Sequence, residues 1–389
     1  MNKRKIINDP VYGFTTLPSD LIYDLVHHPW FQRLRRIKQL GLSDFVYPGA
    51  QHSRFQHALG ALHLMVEAIG TLRSKGVDIT NEEAGGAQVA ILLHDIGHSP
   101  FSHALEKRLV PIHHEQMSIL LIQALNQEFG GKLSEALKIF TNRHPKKFLS
   151  QLVSGQLDLD RMDYLNRDSF FTGVAEGIIG YQRIIHMLNI RDNQLVVEEK
   201  GIHSIEKFLQ SRRIMYWQVY LHKTVLAAEK MLIHWYSILD RDPGLLRANP
   251  ALKKLRTGKY TQKELPGLFA SIDDTDIVFA LKSSLASKDL DIRTLAEGLI
   301  HRRLFKCILS DKPFSPAIKK NIRQLSPGGL IFQGKESNSN YKLNINEIMI
   351  LTKKQEVIPL SAFERFQQMS QQETKHYMVY QGAAMRYEL

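Results

Sequence analysis

Histidine and aspartate recur in this sequence inside apolar segments, where an unpaired charge would be costly. His57 follows Arg54 by three residues and enters an apolar run of helical spacing through Ala58, Leu59, Leu62, Met65, Val66 and Ile69. His94 and Asp95 close a second run, Val89, Ile91, Leu92 and Leu93, just before Gly97. Asp160 lies in Leu157-Asp-Leu-Asp-Arg-Met-Asp-Tyr164. Two imidazoles and two carboxylates make a donor set for one borderline or hard divalent metal ion such as Mn, Fe, Ni, Zn or Mg, with positions left open for water and substrate. Singly, each histidine reads better as a satisfied core imidazole and Asp160 as a helix cap; the case rests on the four together.

The elements that must position these groups are mostly helices. From about Ser19 to Ile185 apolar residues recur at helical spacing, and breaks are expected at Pro48-Gly49, Lys75-Gly76, Gly85-Gly86, Gly97 through Pro100 and Gly130-Gly131. His94 and Asp95 then stand at a helix terminus, where adjacent side chains can both point at an ion. Leu188 to Val197 predicts a small hairpin turning at Asp192-Asn193, and Ile205 to Leu239 one long helix or two abutting ones. Beyond Pro243-Gly244 the pattern predicts helices near Asp276 to Ser287 and Asp291 to Arg302. Strands are expected at Gly329 to Phe332, Ile345 to Leu351 and Glu356 to Leu360, with a polar loop from Lys335 to Asn340. The expectation is a mainly α protein, a helical bundle over residues 1–240 followed by a smaller α+β region over 241–389.

With 389 residues and 43% hydrophobic content the chain can bury a substantial core. It has no membrane-length apolar run and no signal-like start, so a cytoplasmic protein without membrane association is expected. Its single cysteine, Cys307, excludes an intramolecular disulfide, a thiolate zinc cluster and a Cys-X-X-Cys redox pair. The net charge of +12 favours an anionic partner such as a nucleotide, a nucleic acid or an acidic membrane surface, and does not choose among them.

Over roughly the first 235 residues the sequence resembles the HD superfamily of metal-dependent phosphohydrolases. Within it, the likeness is closer to the SAM- and HD-domain deoxynucleoside triphosphate triphosphohydrolases. The resemblance is carried, in order, by Ile7-Asn-Asp-Pro10, Phe31-Gln-Arg-Leu-Arg35, Ile37-Lys-Gln-Leu-Gly41, Tyr47-Pro-Gly-Ala50, His94-Asp-Ile-Gly-His98, Pro100-Phe-Ser-His103 and Asp160-Arg-Met-Asp-Tyr164. It implies an HD-domain bundle with His57, His94, Asp95 and Asp160 as metal ligands, His114 as general acid and Glu106 to orient it. His98 and His103 become candidates for phosphate contact or a second-metal role. The implied reaction is attack at the α-phosphorus with release of triphosphate and a nucleoside. Homo-oligomerisation is a further family-level expectation.

Arg54, Arg161, Arg212 and Lys223 lie in segments resembling the family's phosphate-binding positions, and Gln39, Tyr164, Asp168, Tyr220 and His222 resemble its sugar and base pocket. On one continuous helix Arg212 and Lys223 would fall within roughly 20° of each other. The likeness has limits: no SAM domain is found, and His27 stands where an acidic residue reads guanine in the family's activating site, although Lys5, Gln32 and Arg35 persist nearby. The same ligands would serve a nucleoside monophosphatase or a cyclic-nucleotide phosphodiesterase. A non-catalytic nucleotide- or nucleic-acid-binding regulator is the alternative of a different class.

Overall fold

The computed structural model describes residues 5–326, 329–339, 341, 346–367 and 372–382. A short antiparallel hairpin, β1 (Ile6–Asp9) and β2 (Gly13–Thr16), leads into α1 (Asp20–His27), α2 (Pro29–Gln32) and a 3-10 turn at Arg33–Arg36. The bundle is built from α3 (Arg54–Ser74), α4 (Asn81–Leu93), α5 (His114–Glu128), α6 (Ser134–Phe140), α7 (Lys147–Val153), α8 (Leu159–Thr172) and α9 (Tyr181–Met187). After the hairpin β3 (Leu188–Arg191) and β4 (Gln194–Glu198) come α10 (Ile202–Met215) and α11 (Lys223–Ile238). The remainder holds α12 (Pro250–Thr257), α13 (Leu265–Ala270), α14 (Asp274–Ser283), α15 (Leu290–Ile300), β5 (Lys306–Ser310), α16 (Pro316–Leu325), β6 (Ile331–Ser339), β7 (Met349–Leu351), β8 (Val357–Pro359), α17 (Glu364–Gln367) and β9 (Gln372–Tyr380). The protein is thus mainly helical with small sheets.

Local chemistry sets the starts of the helices that matter for function. Ser53 and Gln56 form a capping box at α3, Thr80 and Glu83 another at α4, and Asp158 accepts from Arg161 N at the start of α8. The cap of α8 is therefore Asp158, which leaves Asp160 in the first turn free to face inward. The expected hairpin is present: Leu188 pairs with Val197 and Arg191 with Gln194, across a turn in which Asp192 and Asn193 take the left-handed φ values of 49° and 61°.

Two expectations are corrected. No break occurs at Gly85-Gly86; α4 runs through it, and a Cβ at Gly86 would press on the Glu135 side chain of α6, so the residue serves close helix approach. From Ile205 to Leu239 the alternative of two abutting helices is the one observed: α10 passes into a π-helical turn at Tyr216–Tyr220, and α11 restarts with His222 as its cap, accepting from Thr224 N at 3.2 Å. The polar stretch from Lys335 is strand as far as Ser339, because β6 is an edge strand whose backbone pairs with β9 whatever its side chains. Asn340 and Ile345 lie outside the described residues.

Strand pairing and packing link the two halves of the sequence. Strand β4 pairs in parallel with β7, giving the sheet order β3-β4-β7-β8, and one buried apolar cluster extends from Leu17 to Val379. Two groups just before and at the start of α14 reach the bundle. Arg33, fully buried, donates to the carbonyls of Ile272 at 2.6 Å, His98 at 2.9 Å and Ile96 at 3.3 Å. The Asp274 carboxylate accepts from Phe101 N at 2.7 Å and Lys38 N at 2.9 Å. Phe101 and Ser102 hold left-handed φ values of 52° and 54°, and these bonds fix the loop in that conformation. No helix among the described residues is long and apolar enough to cross a membrane.

Candidate metal and phosphoester site

Helix α3 supplies His57, the end of α4 supplies His94 and Asp95, and the first turn of α8 supplies Asp160. His57 Nε2 lies 3.3 Å from His94 Nε2 and 3.1 Å from Asp160 Oδ1, and His94 Nε2 is 3.5 Å from the same oxygen. The outer nitrogens fix how these rings are protonated. His94 Nδ1 donates to the Ile91 carbonyl at 2.6 Å, and His57 Nδ1 faces the Asp163 carboxylate at 2.7 Å. Each Nδ1 therefore keeps its proton, and in the neutral rings two Nε2 lone pairs converge across 3.3 Å. Facing lone pairs repel unless a cation lies between them. The donor set and spacing fit one divalent ion, which HD domains bind.

Electrostatics agree with that fit. Burial opposes a charged imidazole, yet its hydrogen bonds to the Asp160 and Asp163 carboxylates hold His57 up at about 10, the mark of a site that attracts positive charge. Burial would raise Asp160, but His57 and His94 keep it well below the usual carboxylate range. Asp95 faces the same centre, with Oδ1 3.4 Å from His94 Nε2 and Oδ2 3.6 Å from His57 Nε2. It is also held by Arg54, whose Nε donates to Ser102 Oγ at 2.9 Å. Against burial, the Arg54 charge keeps Asp95 strongly acidic.

A second histidine group adjoins the first. Glu106 accepts from His114 Nδ1 at 2.7 Å and His103 Nδ1 at 3.0 Å, and also from His114 N at 3.0 Å. Despite the upward push of burial, these bonds keep Glu106 far below its ordinary range. The rings of His98 and His114 stack at 4.0 Å and 20°, and one ring nitrogen from each of His98, His103 and His114 lies within 4.8 Å of the others. His98 Nε2 is 3.1 Å from Asp95 Oδ1, its buried Nδ1 has no partner, and burial followed by Arg54 disfavours its cationic form.

Both groups open on a cavity of about 520 Å³. Asp95, His98, His103, His114, Asp160, Arg54 and Arg161 line one part of it; Gln39, Tyr164, Asp168 and Tyr220 line another. Asp168 accepts from Tyr220 Oη at 2.8 Å and meets His52 Nε2 at 2.8 Å, while Gln39 Oε1 is buried without a partner. Arg161 is tied to Asp158, the cap of its own helix. Arg212 lies close enough to Tyr164 and Tyr220 for its charge to oppose the rise that burial gives both phenols.

His222 and Lys223 do not line the cavity. His222 caps α11 and Lys223 is exposed; Arg212 is not a lining residue either, and the interruption after Tyr220 removes the common helix face that would have aligned Lys223 with it. Sequence reasoning missed His52, Ser102, Asp158, Glu229 and the supports of His57. Of these only Asp163, three residues after Asp160 on the same face, carried a spacing signal.

Residues 54–168 match the HD domain family and residues 179–243 the HD associated region. The crystal structure of a phosphohydrolase from Bacteroides thetaiotaomicron superposes with a TM-score of 0.89 at 44% identity, over 97% of this chain and 100% of that one. An uncharacterized protein of Bacillus subtilis, YwfO, is 31% identical over 319 residues, 79% of this chain and 72% of its own. The deoxynucleoside triphosphate triphosphohydrolase SAMHD1 homolog of Dictyostelium discoideum is 32% identical over 257 residues. That match covers 61% of this chain and only 50% of the Dictyostelium protein. With a histidine-aspartate cluster suited to a divalent ion and relatives of this extent, the chain belongs to the HD-domain family of metal-dependent phosphohydrolases.

Proposed function

We propose that the protein hydrolyses deoxynucleoside triphosphates, cleaving at the α-phosphorus to release triphosphate and a nucleoside. The observation that carries this reading is the length and lining of the cavity. Along α8, Asp160 and Asp168 are eight residues apart, a rise of about 12 Å, with Tyr164 between them. A phosphate alone would leave the Asp168, Tyr220 and Gln39 end empty, whereas a nucleotide offers sugar hydroxyls to that end and phosphates to the other. The activity of the Dictyostelium relative supports the same substrate class.

In this reading His57, His94, Asp95 and Asp160 hold the ion. A bound divalent cation supplies Lewis acidity at the phosphoryl oxygen and makes water a better nucleophile. Arg54 and Arg161 keep unused N–H donors for phosphate oxygens after holding their carboxylates. His114, turned by Glu106, presents Nε2 to protonate the departing nucleoside oxygen, whose alkoxide would otherwise leave poorly. His98, with a bare Nδ1, accepts a hydrogen bond rather than neutralising charge.

The test is incubation of the protein with each deoxynucleoside triphosphate and Mn²⁺ or Mg²⁺, with products resolved by chromatography. Triphosphate and nucleoside, absent with His94→Ala and Asp160→Ala, are expected. Orthophosphate or pyrophosphate as the only inorganic product would overturn the assignment, and turnover of nucleoside monophosphates or cyclic nucleotides alone would replace it.

A further inference from the structure

The support behind His57 extends well beyond one hydrogen bond. Asp163 Oδ2 accepts from both His57 Nδ1 at 2.7 Å and Arg167 Nε at 2.9 Å, and Asp163 Oδ1 accepts from Arg167 Nη2 at 2.9 Å. The two-pronged guanidinium fixes the plane of the carboxylate and hence the bond that orients the imidazole. Arg167 is fully buried and has a third anchor: Nη1 donates to Asp9 Oδ2 at 2.9 Å. Asp9 is 158 residues away in sequence, at the end of β1. Its other oxygen accepts from Val11 N at 2.8 Å and Tyr12 N at 3.1 Å, which closes the hairpin turn and prevents the carboxylate from rotating.

Charge runs through this chain as well as geometry. Asp9 and Asp163 share one buried cation, so part of the Arg167 charge is met by Asp9, and Asp163 keeps more negative charge for the Nδ1–H of His57. A carboxylate behind an imidazole strengthens the opposite nitrogen as a donor. If Asp9 were neutral, Arg167 would draw on Asp163 alone. The packing admits no slack, since a Cβ on Gly60 of α3 would collide with Asp163 Oδ1 and Arg167 Nη2.

We propose that Asp9 is a positioning residue for the metal centre: through Arg167 and Asp163 it sets the orientation and donor strength of the His57 imidazole, and with them the affinity of the cluster for a divalent cation. The inference rests on His57 being a metal ligand.

Isothermal titration of chelator-stripped protein with Mn²⁺ tests it. Wild type should bind Mn²⁺ and His57→Ala should not. Asp9→Asn should bind with the same stoichiometry but about tenfold more weakly, the scale seen when a ligand's supporting partner is lost. In an Asp163→Asn background the Asp9 substitution should add nothing, because the route it acts through is already cut. Should Asp163→Asn not fold, Arg167→Lys, which keeps the charge but loses the fork, provides the second background. Wild-type affinity in Asp9→Asn, or the same loss in both backgrounds, overturns the inference while leaving the metal site intact. Wild type that binds no Mn²⁺ overturns the metal site and the inference together.

Discussion

In the cluster of His57, His94 and Asp160, each outer ring nitrogen is committed to Asp163 or to the Ile91 carbonyl, so the inner atoms have one arrangement. In the neighbouring group of His98, His103 and His114, two rings share the carboxylate of Glu106 and the third has an unpartnered nitrogen. The histidines of the first are almost wholly buried, whereas His103 is 67% exposed and His114 23%. The same residue type is thus set in two environments: a rigid, negatively biased nest suited to a cation, and a group in which His103 and His114 reach solvent with the nitrogens a proton transfer would need. The difference lies in what stands behind each ring.

The contrast is broken most severely by His94→Ala. Hydrolysis should fall below detection together with bound metal, read by product chromatography and elemental analysis; retained metal would show that the two clusters are not distinct in role. Glu106→Gln sharpens it from the other side. Turnover should drop by about 10²–10⁴-fold, the range for loss of acid–base assistance, at unchanged metal content. Loss of metal from that variant would merge the two groups into one.

Gly60→Ala should strain the ion pair of Asp163 with Arg167, lowering unfolding free energy in denaturant melts by about 3–5 kcal/mol, the scale of a broken buried pair. Melting like wild type would mean that α3 and α8 can separate without harm. Asp168→Asn, outside both clusters, should mainly raise KM, by about tenfold for one charged hydrogen bond, with metal content untouched. A fall in kcat alone would place Asp168 in the chemistry.

The smallest effect concerns Glu229 in the cavity wall. Burial first, then Glu336, raises its carboxyl to about 7 against the pull of Lys230. The folded chain therefore holds this proton more tightly than the unfolded chain, and the associated stability is lost as pH rises through about 7. Glu229→Gln should match wild type at about pH 4 and exceed it by roughly 1–3 kcal/mol at about pH 8. A constant difference across that range would mean that the group titrates normally.

The grouping of His57, His94, Asp95 and Asp160 was legible because each is a chemically distinctive residue in an apolar segment, and the order of motifs tied them together. The hairpin at Asp192-Asn193 was legible because those residues favour left-handed backbone. What escaped depends on partners distant in the chain. Lys335 to Ser339 is polar and looked like a loop, but β9 supplies its pairing. Gly85-Gly86 reads locally as a stop, but α4 continues through it and α6 needs the space at Gly86. The π-helical turn at Tyr216–Tyr220 left no mark in the apolar periodicity, so the alignment of Lys223 with Arg212 failed. His52 offered no local pattern, and Asp9 stood in a motif that assigned it no role; their partners lie 116 and 158 positions away.

Arg33 and Asp274 bear on where the working enzyme ends. The loop carrying His98 and His103 is anchored to atoms from Ile272 to Asp274. A protein cut after α11 would retain every implied metal ligand yet leave Phe101 N, Lys38 N and a buried guanidinium without these acceptors. Transplanting the first 240 residues onto another tail would therefore require the new tail to carry a carboxylate and a carbonyl at the same two points. The smallest heritable unit of this catalyst is accordingly longer than its motif-bearing segment.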